Sequence, residues 1–187
     1  MKLYVIRHGE SETNRTKHWT GWLDVALTDR GEREAEELRP MLSNIKFDKI
    51  YSSDLTRAKK TAEIAIPGCV YEETPLIREV CLGNLEGTPI EGLSDDERLS
   101  ISKNGYADFG GETYEELMAR AESFLSTVAE LDCECVAAFS HGGFLRTVID
   151  VAVGMRLPRS KIICNNCATV ILEYKNGQWY LFGIINT

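Results

Sequence analysis

The chain has 187 residues, 43% of them hydrophobic and 27% charged, enough to bury a sizeable core as one domain. Its net charge of -8, with the lysines and arginines spread along the chain, argues against nucleic acid and anionic membranes as partners, because both require a basic face. No apolar run reaches transmembrane length and the N-terminus lacks the apolar stretch of a signal peptide, so a cytoplasmic protein with reduced cysteines is expected.

Leu3 to Ile6 is a short apolar run between Lys2 and Gly9, which reads as a buried strand. Arg7 and His8 then emerge at its carboxyl end, the edge where open α/β sheets bind ligands, and Gly9 lets the backbone turn there. Asn14 to Asp24 is a polar and aromatic loop, long for a connection and expected to be functional, with His18 as a solvated residue. Thr28 reads as the N-cap of a helix in which Ala35, Leu38 and Leu42 form one buried stripe, its glutamates facing solvent.

Lys49 to Ser53 predicts a second strand, followed by Asp54 as N-cap of a helix through Ile66 that Pro67-Gly68 ends. Arg57 falls in the first turn of that helix, where backbone N–H groups already favour an anion. Cys69 to Tyr71 reads as a third strand leading to Glu79 and Glu86. Both acids are flanked by apolar residues, a setting that raises a carboxyl's affinity for its proton as a general acid needs. Thr88 to Gly111 is polar, with four glycines and one short helical run near Asp95 to Ile101, and resembles a lid. Thr113 and Glu116 form a capping box for a helix to about Leu131 with Leu117, Ala121, Phe124, Leu125 and Val128 inward.

Cys135 to Gly143 repeats the opening design: an apolar strand ends in His141, glycines follow, and a helix from about Phe144 to Val153 points its N-terminus at the same edge. Ala168 to Tyr174 and Gln178 to Ile185 form a closing hairpin around an Asn176-Gly177 turn. The pairs Cys133-x-Cys135 and Cys164-x-x-Cys167 allow a zinc site formally. No histidine lies at ligand spacing from either, however, and Cys135 and Cys167 each open a strand-like run, so no metal site is assigned.

Two arginines and two histidines facing one point form a trap for a dianion, and phosphoryl transfer is largely positioning plus charge neutralisation. A neutral imidazole can attack phosphorus if its other ring nitrogen is held by an acceptor, and a carboxylic acid must protonate the departing alkoxide. The chain has no Walker sequence and no aspartate cluster for magnesium, so metal-free hydrolysis without a cofactor fits best.

The motifs Arg7-His8-Gly9-Glu10-Ser11, Asn14, Thr20-Gly21-Trp22, Ser52 to Ala58 with Arg57, Glu79 with Glu86-Gly87, and Ser140-His141-Gly142-Gly143 together resemble the histidine phosphatase superfamily, also called phosphoglycerate mutase-like, over nearly the whole chain. The resemblance implies a three-layer α/β/α sandwich around a mixed, mostly parallel six-stranded sheet with one antiparallel strand. It also implies His8 as phosphorylated nucleophile, Arg7, Arg57 and His141 as phosphate pocket, and Glu79 as proton donor. Ser11, Asn14, Thr20, Gly21 and the Gly142 N–H are implied as further substrate contacts. The stretch after Glu79 departs from the mutase branch: it lacks that branch's tyrosine and is net acidic, so the phosphatase branch is expected, including broad-specificity, α-ribazole phosphate and phosphoserine types. A phosphoglycerate mutase and an inactive phospho-ligand or protein-binding module are the alternatives. The expected partner is a small phosphorylated metabolite and the expected state a monomer or homodimer.

Overall fold

The structure, a computed structural model, describes residues 1–158 and 161–186. Six strands form one sheet in the order β3-β2-β4-β1-β5-β6, where β1 is Lys2–Arg7, β2 Lys49–Ser52, β3 Glu72–Glu73, β4 Cys135–Ser140, β5 Thr169–Lys175 and β6 Gln178–Ile185. β1, β4, β2 and β3 are mutually parallel, while β5 is antiparallel to both β1 and β6, so β5 alone runs against the rest. The expected mixed sheet with one antiparallel strand is therefore observed.

Side chains alternate across the sheet with the period of two that a strand imposes. Leu3, Val5, Val136 and Ala138 face one layer, made of α6 (Tyr114–Ala129) and α7 (Gly142–Val153), where Phe124, Phe144, Leu145 and Val148 meet them. Ile6, Ala137 and Phe139 face the other layer, made of α2 (Asp29–Glu37), α3 (Arg39–Leu42) and α4 (Thr56–Ala65). Two short helices lie outside these layers, α1 (Glu12–Arg15) and α5 (Asp95–Asn104). Phe124 and Phe139 are 1% and 0% exposed, and truncating either to alanine would cost about 3–5 kcal/mol.

Three expectations change. The helix begun at Thr28, whose side chain does accept from the Gly31 N–H, breaks at Leu38 because Pro40 cannot donate into it; Ala35, Leu38 and Leu42 stay buried across the break. The third strand lies at Glu72–Glu73 and not at Cys69 to Tyr71: Val70 is 90% exposed, and the pairing is a two-residue rung on the sheet edge, where acids remain solvated. Asp54 does not cap α4. Its carboxylate pairs with Arg78, and the Thr56 N–H is capped instead by Asp24 at 2.7 Å, from the loop before α2.

The other elements follow the sequence reading. Thr113 and Glu116 cap α6 reciprocally, and the five named inward residues are all buried. Asn176 and Gly177 both have positive φ, as the hairpin turn requires. Among the described residues no helix is long and apolar enough to cross a membrane.

Candidate active site

β1 and β4 pair in register with Arg7 opposite Ser140, so the next residue of each strand, His8 and His141, leaves the sheet at the same edge. Their rings stand edge to face with centroids 5.1 Å apart. The His8 N–H donates to the Ser140 carbonyl at 3.0 Å, which carries the strand pairing one step into the site. Gly9 is required directly after: a Cβ there would lie 2.2 Å from the Gly31 carbonyl oxygen, where the chain passes against the start of α2.

A hydrogen bond assigns the ring proton of His8. His8 Nδ1 lies 2.7 Å from the Gly9 carbonyl, which can only accept, so Nδ1 carries the proton and Nε2 presents its lone pair. Nε2 accepts from Arg57 Nε at 3.2 Å. His141 Nε2 is 2.9 Å from Ser53 Oγ, and that hydroxyl already accepts from the Leu55 N–H at 3.3 Å. The hydroxyl keeps a second lone pair, so this contact serves either tautomer; with Ser53 as donor the His141 proton sits on Nδ1, which is buried with no partner. Burial, then the neighbouring cations Arg57 and Arg7, hold both imidazoles well below the usual histidine range, so both are neutral at neutral pH.

Arg57 is fully buried in the first turn of α4 and its guanidinium donates to the carbonyls of Leu23 at 2.7 Å and Gly21 at 2.8 Å. Burial lowers it to about 10, still cationic at neutral pH. Arg7 donates from Nη1 to the Cys164 carbonyl at 2.7 Å, while its Nε is buried without a partner. A Cβ on Gly142 would lie 3.3 Å from that Nε, which puts the first residue of α7 beside it. Two guanidiniums, two neutral imidazoles and a helix N-terminus thus converge, an arrangement able to hold a dianion.

The two acids separate. Glu79 lies on the segment after the 3₁₀ turn Pro75–Ile77, and its Oε2 accepts from the Gly143 N–H at 3.1 Å, in the first turn of α7. Its own carbonyl is held by Trp22 Nε1 at 2.7 Å and Arg120 Nη2 at 3.1 Å. Arg120 also donates to the carbonyls of Leu76 and Arg78 and forms a two-pronged pair with Glu112, which in turn accepts from the Cys81 N–H. Glu86 instead accepts from the Trp22 and Leu82 N–H groups at 2.8 and 3.1 Å, joining the Asn14 to Asp24 loop to the turn at Gly83.

His8, His141, Arg7, Arg57, Gly142 and Glu79 are thereby brought to one edge. Ser11, Asn14 and Thr20 form a neighbouring cluster of their own: Asn14 Oδ1 accepts from the Ser11 N–H and from Asn166, and Thr13 bridges the hydroxyls of Ser11 and Thr20. Among the described residues none of these three hydrogen-bonds to the two histidines or two arginines. Gly21 acts through its carbonyl, which is spent on Arg57. Sequence reasoning missed Ser53, Asp24, Arg120 and Glu112. The one available signal was Arg120 beside the apolar stripe of α6, which reads equally well as a solvated arginine. Among the described residues no group of three or more histidines, cysteines or acids is placed to hold a metal ion.

Known proteins share this architecture and sequence. A curated relative described as a probable phosphoglycerate mutase, GpmB of Salmonella choleraesuis, is 30% identical over 98% of this chain and 89% of its own length. A Thermus thermophilus protein, TTHB049, superposes with a TM-score of 0.80 at 29% identity over the whole of both chains. A phosphoserine phosphatase mutant from Entamoeba histolytica, solved in complex with phosphoserine, superposes with a TM-score of 0.86 at 25% identity over 98% of this chain and 95% of that one. The model of the histidine phosphatase superfamily (branch 1) matches residues 3–187, and the chain belongs to that family.

Proposed function

We propose that the protein is a metal-independent phosphomonoesterase acting through a phosphohistidine on a small phosphorylated metabolite. The observation that carries the reading is His8, neutral, its Nδ1 proton bound to the Gly9 carbonyl and its Nε2 lone pair turned toward the guanidiniums, where it accepts from Arg57 Nε until a phosphoryl group takes that donor's place. In the first half-reaction Nε2 bonds to phosphorus, the ester P–O bond breaks, and Glu79 gives its proton to the departing alkoxide. In the second, the Glu79 carboxylate takes a proton from water, the oxygen attacks phosphorus, and the P–N bond returns its electron pair to His8. Arg7, Arg57, His141 Nδ1–H and the Gly142 N–H neutralise the equatorial oxygens throughout. Residues 88–111 act as the cover of this edge, anchored to the preceding loop through Trp19 N–H to the Thr88 carbonyl and Ile90 N–H to the Lys17 carbonyl.

Phosphatase and mutase share the phosphohistidine and differ in what receives the phosphoryl group. The net acidic 88–111 segment favours water over a second bound substrate, and the likeness to a phosphoserine phosphatase supports the same choice, while the relatives described as probable mutases keep the mutase as the second reading. Turnover of a phosphomonoester without any bisphosphorylated primer, with acid-free quenching and mass spectrometry locating phosphate on His8, is the expected result. Dependence on such a primer would assign the mutase, and His8→Ala retaining turnover would remove the mechanism.

A further inference from the structure

Beside the phosphate pocket lies a cavity of about 780 Å³ whose walls carry three arginines from three different parts of the chain, Arg98 of α5, Arg146 of α7 and Arg156 after α7. It reaches the catalytic edge: Gly143, whose N–H holds the Glu79 carboxylate, lines it, as does Val80. Arg146 stands at the junction. Its Nη1 donates to the Gly142 carbonyl at 2.9 Å, its Nε to the Ile162 carbonyl at 3.1 Å, and it is close enough to Arg7 to depress that guanidinium's proton affinity.

The cavity is basic in an acidic protein. Its one acidic lining residue, Glu112, is already committed to Arg120. Among the described residues neither Arg98, Arg146 nor Arg156 has a carboxylate within salt-bridge distance; Arg98 and Arg156 touch only backbone carbonyls at 3.5 and 3.4 Å, and Arg156 covers the Tyr114 ring. The remaining wall, Val80, Ile101, Leu117 and Leu157 with Tyr106 and Tyr114, is hydrocarbon and aromatic. The volume is also generous. At about 30 Å³ per water-sized group, a six-atom alcohol would fill only about 180 Å³.

We infer that this cavity receives the alcohol part of the substrate, and that this part is a mid-sized organic group with an apolar or aromatic body and a second anion, carboxylate or phosphate, at its far end between Arg98, Arg146 and Arg156. The apolar wall takes the body, and guanidiniums lacking a protein carboxylate take the anion. The net acidity of residues 88–111 hid this, because two of the three cations come from outside that stretch. The inference rests on the phosphomonoesterase reading.

Its test compares 4-carboxyphenyl phosphate with the isosteric neutral 4-carbamoylphenyl phosphate, and adds 4-(phosphonomethyl)phenyl phosphate to tell a carboxylate site from a phosphate site. The charged esters should be preferred by at least about tenfold in kcat/KM. That preference should shrink toward unity in Arg98→Gln/Arg156→Gln, a pair of exposed residues whose replacement leaves the core untouched. Equal use of charged and neutral esters, or a preference indifferent to the two substitutions, overturns the inference while leaving the phosphatase standing. Should neither ester turn over, the phosphatase reading fails. Calorimetry with 4-carboxyphenylphosphonate and 4-carbamoylphenylphosphonate then still reads the cavity, with the same preference supporting the inference and equal affinities ending it.

Discussion

Replacing Gly143 by alanine would put a methyl group where the Glu79 carboxylate stands. The added Cβ would lie 2.2 Å from Oε1, against 3.4 Å for ordinary contact, so the carboxyl must retreat by about 1.2 Å and loosen both its hydrogen bonds, from the Val80 N–H to Oε1 at 3.0 Å and from the Gly143 N–H to Oε2 at 3.1 Å. The other near atom, Val80 Cγ1 at 3.4 Å, needs no movement. Displacing a catalytic group by about 1 Å costs about 10²-fold, and general acids contribute about 10²–10⁴-fold in all. Hydrolysis of an alkyl phosphate by Gly143→Ala should therefore fall by about 10²-fold. A nitrophenyl phosphate, whose phenolate departs without a proton, should lose less than about tenfold. Position 143 is helical with ordinary φ, and alanine is favoured over glycine there by about 1 kcal/mol, so the midpoint of thermal unfolding should hold or rise and misfolding is separable from misplacement. Adding Glu79→Gln should cost little more, since both changes remove one contribution. Glu86→Gln, remote from Gly143, should leave the leaving-group dependence in place. Equal losses on the alkyl and aryl esters, or a leaving-group effect that follows Glu86, would show that Glu79 is not the acid.

The buried histidines set a pH dependence of stability. Above the unfolded-state value of 6.5 both are neutral in either state and contribute nothing; below it the unfolded chain takes up protons that the native His8 and His141 refuse, so stability falls as pH drops, by up to about 1.4 kcal/mol per unit for each. Denaturant midpoints for wild type and His141→Asn between pH 7.5 and 5.5 should show the shallower slope in the variant, and parallel slopes would contradict the assignment. Activity should survive exhaustive chelation, because the guanidiniums of Arg7 and Arg57 supply the neutralising charge; loss with EDTA that zinc or magnesium restores would refute this.

The catalytic edge was legible because strand period and glycine placement are local signals. Leu3 to His8 and Val136 to His141 each write a strand, its carboxyl end and a turn within a few residues. What stayed hidden depends on pairs distant in sequence. Asp54 has the right residue type for a cap, but Asp24 competes for the Thr56 N–H from a loop that no spacing rule connects to it, and Arg78 claims Asp54. Glu79 and Glu86 each have one apolar neighbour, Val80 and Leu85, and are told apart by which N–H groups they accept from, Gly143 and Val80 in one case and Trp22 and Leu82 in the other. The basic cavity was masked by its acidic neighbours along the chain, since composition averages over residues that the fold then sorts onto opposite faces.

The position of β1 in the middle of the sheet bears on how the protein is made. Both of its neighbours, β4 and β5, come late in the chain: Lys2 pairs with Cys135 on one side and Glu173 on the other. During synthesis β1 therefore leaves the ribosome well before either partner, with both hydrogen-bonding edges bare until β4 and then β5 have followed. Such long-range pairing slows folding and leaves an apolar strand open to association. A message truncated before β5 would yield a chain whose β1 keeps one edge uncovered, making it prone to aggregate.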